Sequence, residues 1–214
     1  MKFRRYLNPS AYWRRIANFV IRCRLILGQP IRVVTHIDKY KIVFFVRSLL
    51  EYHLRARESY NREKVTMHWL RSVVGIDDVV YDIGANVGAY SLYAGKKLAQ
   101  NSGKVYAFEP VPMNYCYLKK RFPTAIIYDF ALSDTNGSYE FFYATRRPAR
   151  SSLIQREYPD KNERIKTFNV RSECLDNVIP LDVPIHFIKI DVEGVELKVL
   201  RGAEKIIQKH KPTI

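Results

Sequence analysis

From residue 77 to the end, short apolar runs alternate with segments of helical spacing. "DDVVYDIG" and "KVYAFEP" are β-branched and aromatic over a few residues and stop at glycine or proline, which predicts two strands. "GAYSLYAGKKLA" and "PMNYCYLKKRF" predict helices, the second with Pro112 near its first turn. "AIIYDFAL" predicts a third strand. "TNGSYEFFYA" predicts a turn and an inserted strand, because Asn-Gly favours a tight hairpin. "IHFIKIDVEG" predicts the next strand, and "VELKVLRGAEKIIQKH" one helix with Val195, Val199, Leu200, Ala203, Ile206 and Ile207 on a single face. Apolar strands separated by helices imply an α/β fold, a doubly wound and mostly parallel sheet with right-handed crossovers. "KPTI" reads as the opening of a further strand. The expectation is therefore a Rossmann-like domain over 67–214 that is C-terminally incomplete and lacks its last strands.

The pattern before residue 67 is different. Trp13, Ile16, Val20, Cys23 and Leu27 recur at helical spacing among Arg14, Arg15, Arg22 and Arg24, which predicts a basic amphipathic helix. "IRVVTHIDKYKIVFFV" is strand-like, and residues 47–72 return to helical spacing. Residues 1–66 carry 15 basic and 4 acidic side chains, 15 − 4 = +11 of the total +15. A basic, mostly helical extension points to an anionic surface or substrate. Attachment to an anionic membrane is one reading; a helix packing its stripe on the core while its arginines face water is the other. Arg22 and Arg24 interrupt the apolar stretch and no small-residue cleavage site follows, so neither a signal peptide nor a membrane span is expected. Cys23, Cys116 and Cys174 are widely spaced and form no metal pattern, which fits a cytoplasmic location.

Candidate chemistry gathers where open α/β sheets bind ligands, at the carboxyl ends of the strands. Asp82, Gly84, Asn86 and Gly88 follow the first of these strands. The middle glycine of a dinucleotide loop lets pyrophosphate approach the backbone, and Asn86 puts a side chain there instead. S-adenosylmethionine, which has no pyrophosphate, is not excluded. Asparagine also tolerates the left-handed backbone of such turns. Asp82 is placed to orient loop amides, bind the ligand's ammonium group or cap the turn. Glu109 ends the second strand 25 residues beyond Gly84 and can accept ribose hydroxyls. Asp129, near the end of the third strand, suits either an adenine amino group or a turn-side hydrogen bond.

Asp191 and Glu193 end the strand expected beside the first. Asp191 is the preferred base or acceptor-orienting residue for methyl transfer to an alcohol, with Glu193 second. Loop support by Asp191 and helix capping by Glu193 is the plainer alternative. Lys189 shares a strand face with Asp191 and calls for an ion pair with Asp82 or Asp191, while His186, at the other end, reads as structural. "DVEG" contains no ring or proline to stack an extruded base, so a nucleic-acid partner is not expected. Residues 145–153, "TRRPARSSL", suit a loop over the cleft, where Ser151 and Ser152 can meet a polyhydroxylated acceptor; a solvated connector with no substrate contact is the plainer reading. Two carboxylates are weak grounds for a metal, and none is expected.

"YDIGANVGAYSLYA", "VYAFEPVPMNY", "ALSD", "SSL" and "FIKIDVEGVELKVLRGA" together resemble the FkbM family of S-adenosylmethionine-dependent methyltransferases. The resemblance implies a class I methyltransferase fold and O-methylation of a sugar, glycolipid or similar hydroxylated acceptor. It carries Asp82, Gly84, Asn86, Gly88 and Glu109 over as cofactor residues, and Asp191 and Glu193 as the acidic cluster of the active site. A nucleotide-dependent oxidoreductase and a catalytically dead basic adaptor are the competing readings.

Overall fold

The computed structural model describes residues 16, 19–20, 23–24, 27, 31–46, 60, 63–145, 150–155 and 163–214. The predicted N-terminal helix lies largely outside these residues, as do 47–59 and 146–149 of the segments read above. The chain divides into two compact units, Met1–Ser59 and Tyr60–Ile214. In the first unit, β1 (Ile31–Ile37) and β2 (Tyr40–Val46) form an antiparallel hairpin that closes on the pair Ile37 and Tyr40. The single strand-like run thus folds back on itself. Asp38, at φ +52°, supplies the left-handed turn that an aspartate tolerates. Ile42, Phe44 and Val46 alternate into the buried set, the two-residue period of one strand face.

The second unit begins with the Tyr60 hydroxyl donating to the Ala89 carbonyl (2.7 Å) and with α1 (Lys64–Ser72). There follow β3 (Val79–Ile83), α2 (Ala89–Leu98), β4 (Lys104–Phe108), α3 (Pro112–Arg121) and β5 (Ile126–Tyr128). Then come β6 (Ala131–Leu132), β7 (Gly137–Ala144), β8 (Ile165–Glu173), α4 (Leu175–Val178), β9 (Phe187–Ile190), α5 (Glu196–Arg201) and α6 (Glu204–His210). The main sheet is parallel in the order β5-β4-β3-β9, which is a Rossmann-like α/β arrangement. All five residues of β3 are buried, as expected of a central parallel strand covered on both faces. Across one face Tyr81 stacks on Tyr106 (4.7 Å between ring centroids) and Phe108 on Tyr128 (5.0 Å), an aromatic row that continues the strand register. The chain order reverses at β3, with β4 and β5 to one side and β9 to the other. That reversal opens a crevice at the carboxyl ends.

Four features differ from the pattern-based expectation. "AIIYDFAL" is two strands: β5 stays in the main sheet, and β6 joins a second, three-stranded sheet of order β6-β8-β7. The exposed, polar Asp129 separates them. Asn136-Gly137 does not make a hairpin between paired strands, because β7 pairs with β8 and lies on its far side from β6. Instead the Asn136 side-chain oxygen accepts the Cys174 N–H (2.8 Å). β8 itself had no sequence signal: Lys166, Thr167, Asn169 and Arg171 are exposed, so the strand carries no apolar run. The last helix is broken at Gly202, whose hydrogen stands where a Cβ would lie 2.0 Å from the Ser133 carbonyl oxygen. The second half restarts under the Asp176 carboxylate, which accepts the N–H groups of Lys205 (2.9 Å) and Ile206 (3.0 Å).

Two smaller details stand at β9. Thr213 makes an isolated parallel bridge to Phe187, donating to the His186 carbonyl (3.0 Å) and accepting the Ile188 N–H (2.8 Å). The His186 ring sits at the amino end of β9, where Nδ1 accepts the Val79 N–H (2.9 Å).

Candidate active site

Three left-handed residues shape the loop between β3 and α2: Gly84 (φ +79°), Asn86 (+52°) and Gly88 (+78°). Gly84 must be glycine twice over. A Cβ there would stand 2.1 Å from the Asp191 backbone oxygen, so the ends of β3 and β9 touch through their main chains. Asn86 turns its side-chain oxygen back to accept the Val87 N–H (2.8 Å), a local bond that supports its left-handed backbone.

Glu109, just past β4, gathers the neighbouring amides. One carboxylate oxygen accepts the Asn86 N–H (2.7 Å); the other accepts from Val111 N–H (3.0 Å) and the Asn114 side-chain amide (3.2 Å). The residue is only 4% exposed. Burial pushes its pKa up to about 7, against those three hydrogen bonds, and the Asp82 charge adds to the rise. One carboxylate thus ties the β3 loop to the start of α3.

On the other side of Gly84 lies an ion-pair chain. Asp82 is 2% exposed; its carboxylate accepts the Ser91 hydroxyl (2.5 Å) and pairs with the Lys189 ammonium (3.2 Å). The same ammonium lies 3.5 Å from Asp191 and 5.3 Å from the centre of the Tyr90 ring. Burial works to lower the Lys189 pKa, but the Asp82 and Asp191 carboxylates outweigh it and hold the ammonium above its ordinary value. Asp191 keeps 43% of its side chain exposed. Glu193 follows in a left-handed conformation (φ +56°) and Gly194 at +100°. Just ahead of α5 the Glu196 carboxylate accepts the Gly194 N–H (2.9 Å to each oxygen).

These elements enclose a cleft of about 570 Å³, counted out to open solvent. Gly84, Asn86, Glu109, Asp191, Glu193 and Ser151 line it, which brings six of the ten sequence-predicted site residues together. Asp82, Gly88, Asp129 and Ser152 do not line it. Asp82 sits behind the wall, where it anchors Lys189. Gly88 lets α2 begin close to Leu118. Asp129 forms an exposed ion pair with Arg171 (3.4 Å), whose guanidinium stacks on Phe130. Ser152 is buried, and its hydroxyl donates to the Glu193 carbonyl (2.7 Å). The unpredicted part of the lining is an apolar wall that includes Val111, Phe130, Phe141, Leu153 and Val195, together with Asn114. Asn114 had a usable signal, being in the first turn of the helix that follows Glu109. Phe141 had none, since its place depends on the second sheet, whereas Leu153 ends the 145–153 segment expected over the cleft.

Residues 82–214 match the family profile described as "Methyltransferase FkbM domain", from the buried aspartate of β3 to the end of the chain. The chain belongs to the FkbM methyltransferase family. Among relatives in that family, the hexuronic acid methyltransferase AglP of Haloferax volcanii is 27% identical over 180 residues, 82% of this chain and 70% of AglP. Methyltransferase sdnD of Sordaria araneosa is 27% identical over 158 residues, 59% of this chain and 60% of sdnD. The 31-O-demethyl-FK506 methyltransferase FkbM of Streptomyces tacrolimicus is 30% identical over 160 residues, 59% of this chain and 60% of that protein. The matches thus span about 60–70% of the length of these relatives. Among the described residues, no helix is long and apolar enough to cross a membrane.

Proposed function

We propose that this FkbM-family chain uses S-adenosylmethionine to methylate a hydroxyl on a sugar, glycolipid or similar polyhydroxylated acceptor. The charge of the cleft carries this reading. Its described lining holds the carboxyl groups of Glu109, Asp191 and Glu193 and no lysine or arginine. Such a field attracts a sulfonium cation and repels a pyrophosphate, which also weighs against a dinucleotide oxidoreductase. The loop supports the same group: Gly84 and Asn86 line the cleft, and an asparagine stands where a dinucleotide loop carries its middle glycine.

When bound, S-adenosylmethionine supplies an electrophilic methyl group on sulfur. The remaining work falls to side chains. Glu109 has three of its carboxylate's acceptor sites engaged by Asn86, Val111 and Asn114, which leaves capacity for a ribose hydroxyl at the cleft. The apolar wall around Phe130 and Phe141 excludes water from that side. Asp191, half-exposed at the cleft and steadied by the Lys189 ammonium, orients the acceptor hydroxyl and takes its proton, with Glu193 beside it. The names of two relatives, a hexuronic acid methyltransferase and a 31-O-demethyl-FK506 methyltransferase, support an oxygen-rich acceptor. The test is transfer of label from methyl-labelled S-adenosylmethionine to a panel of methyl glycosides and glycolipids. Label in a glycan hydroxyl, reduced at least about a hundredfold in Asp191→Asn, is the expected result. Label in nucleic acid alone, or in no acceptor, refutes the proposal.

Residues 1–66, with their +11 balance, support a second part of the proposal: peripheral attachment to an anionic membrane from the cytoplasmic side. The three cysteines are free thiols, in keeping with a reducing compartment. Flotation with phosphatidylserine vesicles should succeed at low salt and fail at high salt. Absence of binding at low salt overturns this part.

A further inference from the structure

Ser152 stands between the second sheet and the acidic end of the site, and its bonds run both ways. Its main chain pairs with Phe142 of β7, N–H to carbonyl in each direction (3.1 and 2.9 Å). Its hydroxyl accepts the Ile154 N–H (3.2 Å) and donates to the Glu193 carbonyl (2.7 Å). The residue is 1% exposed, so no solvent replaces these bonds if they are lost. The carbonyl it holds belongs to a non-glycine residue at φ +56°, a left-handed backbone state that an ordinary side chain disfavours. Such a conformation persists only where the surroundings over-determine it. Two of the bonds that hold it are Ser152 on the Glu193 carbonyl and Glu196 on the next amide, Gly194. On either side of Ser152, Ser151 and Leu153 reach the cleft that Glu193 also lines.

We infer that Ser152 is a positioning residue: its hydroxyl latches the left-handed turn at Glu193–Gly194 to the second sheet and so sets where Glu193 faces the acceptor side of the cleft. The role rests on the methyltransferase reading for its consequence in catalysis, but the latch is a property of the folded chain. Among the described residues, the bonds of Ser152 run to Glu193, Ile154 and Phe142 and not to the loop residues Gly84 and Asn86. Loss of the hydroxyl therefore acts on the acceptor side and spares the cofactor side.

Hydrogen exchange resolved to single amides tests the latch on the full chain. In Ser152→Ala, the Gly194 and Ile154 amides should exchange about tenfold faster or more, the equivalent of one lost buried hydrogen bond, while Asn86 and Val87 keep their wild-type rates. In the wild-type chain, Ile154 and Gly194 should open together, with one common denaturant dependence, which tests the latch even if the alanine variant fails to fold. Calorimetry should find S-adenosylhomocysteine bound within about twofold of wild type by Ser152→Ala, and turnover on any glycoside the wild type methylates should fall in kcat with the KM for S-adenosylmethionine unchanged. Unchanged exchange at Gly194, or separate opening of Ile154 and Gly194 in the wild type, overturns the latch. A KM that rises in step with the fall in kcat overturns its acceptor-side role. A wild-type chain that binds no S-adenosylhomocysteine counts against the reading of the site, while the exchange data still decide the latch.

Discussion

Glu109 is the residue whose titration should be felt by both folding and ligand. Its carboxyl is buried with a pKa of about 7. If the ionised form is the one that accepts the ribose, apparent affinity scales with the ionised fraction, about a tenth at pH 6 and about nine-tenths at pH 8. Binding of S-adenosylhomocysteine should therefore tighten about tenfold over that interval, equivalent to ~1.4 kcal/mol. Stability moves the other way. The folded pKa lies above the ordinary 4.5, so the folded chain keeps a proton that the unfolded chain has lost. The stabilisation is full below about pH 4.5, fades as pH rises, and is gone above about 7. The rise is worth about 3 kcal/mol between pH 4.5 and 8. The assay is calorimetry and urea unfolding at pH 4.5, 6 and 8 on wild type and Glu109→Gln, whose difference isolates this group from others that titrate. A flat affinity between pH 6 and 8, or the same slope in the glutamine variant, would rule Glu109 out as the titrating group.

Two further predictions concern the frame around the cleft. Lys189→Met leaves the Asp82 carboxylate buried and without its cation, at a cost of roughly 3–5 kcal/mol in urea unfolding; the double variant with Asp82→Asn should recover a large part, and a single-variant cost below about 1 kcal/mol would show that the pair does not brace the sheet. Gly84→Ala drives a Cβ into the Asp191 main chain, whereas Gly88→Ala meets side chains, first the end of Leu118 (2.3 Å), at a similar φ. Both lose the ~1–2 kcal/mol of the left-handed backbone, but Gly84→Ala should lose clearly more and weaken S-adenosylhomocysteine binding at least about tenfold. Equal effects of the two in unfolding and calorimetry would contradict the close approach of β3 and β9.

What could be read from the chain follows from where each residue is buried. β3, β4 and β9 announce themselves because parallel strands covered on both faces need unbroken apolar runs, and Val79–Ile83 is one. Gly84 and Asn86 were legible because so few residues accept a left-handed backbone. The ion pair of Lys189 followed from its place inside an apolar strand, and the structure gives it both of the expected partners. β8 stayed hidden because its outward face is polar and its inward face is short, Val170 and Ser172 being its buried residues. The break at Gly202 depends on Ser133, far away in sequence, and no local pattern encodes it. Ser152 shows the limit most clearly. A serine in a loop has the same letters whether it meets solvent, an acceptor or, as here, a buried carbonyl. Its partner, not its type, decides what it does.

Calorimetry of the full chain at pH 8 with S-adenosylhomocysteine and, separately, with NAD decides between a sulfonium cleft and a dinucleotide cleft. One site for S-adenosylhomocysteine is expected, weakened in Glu109→Gln and Gly84→Ala, with no heat from NAD. Binding of NAD alone, or of neither ligand, would contradict this expectation.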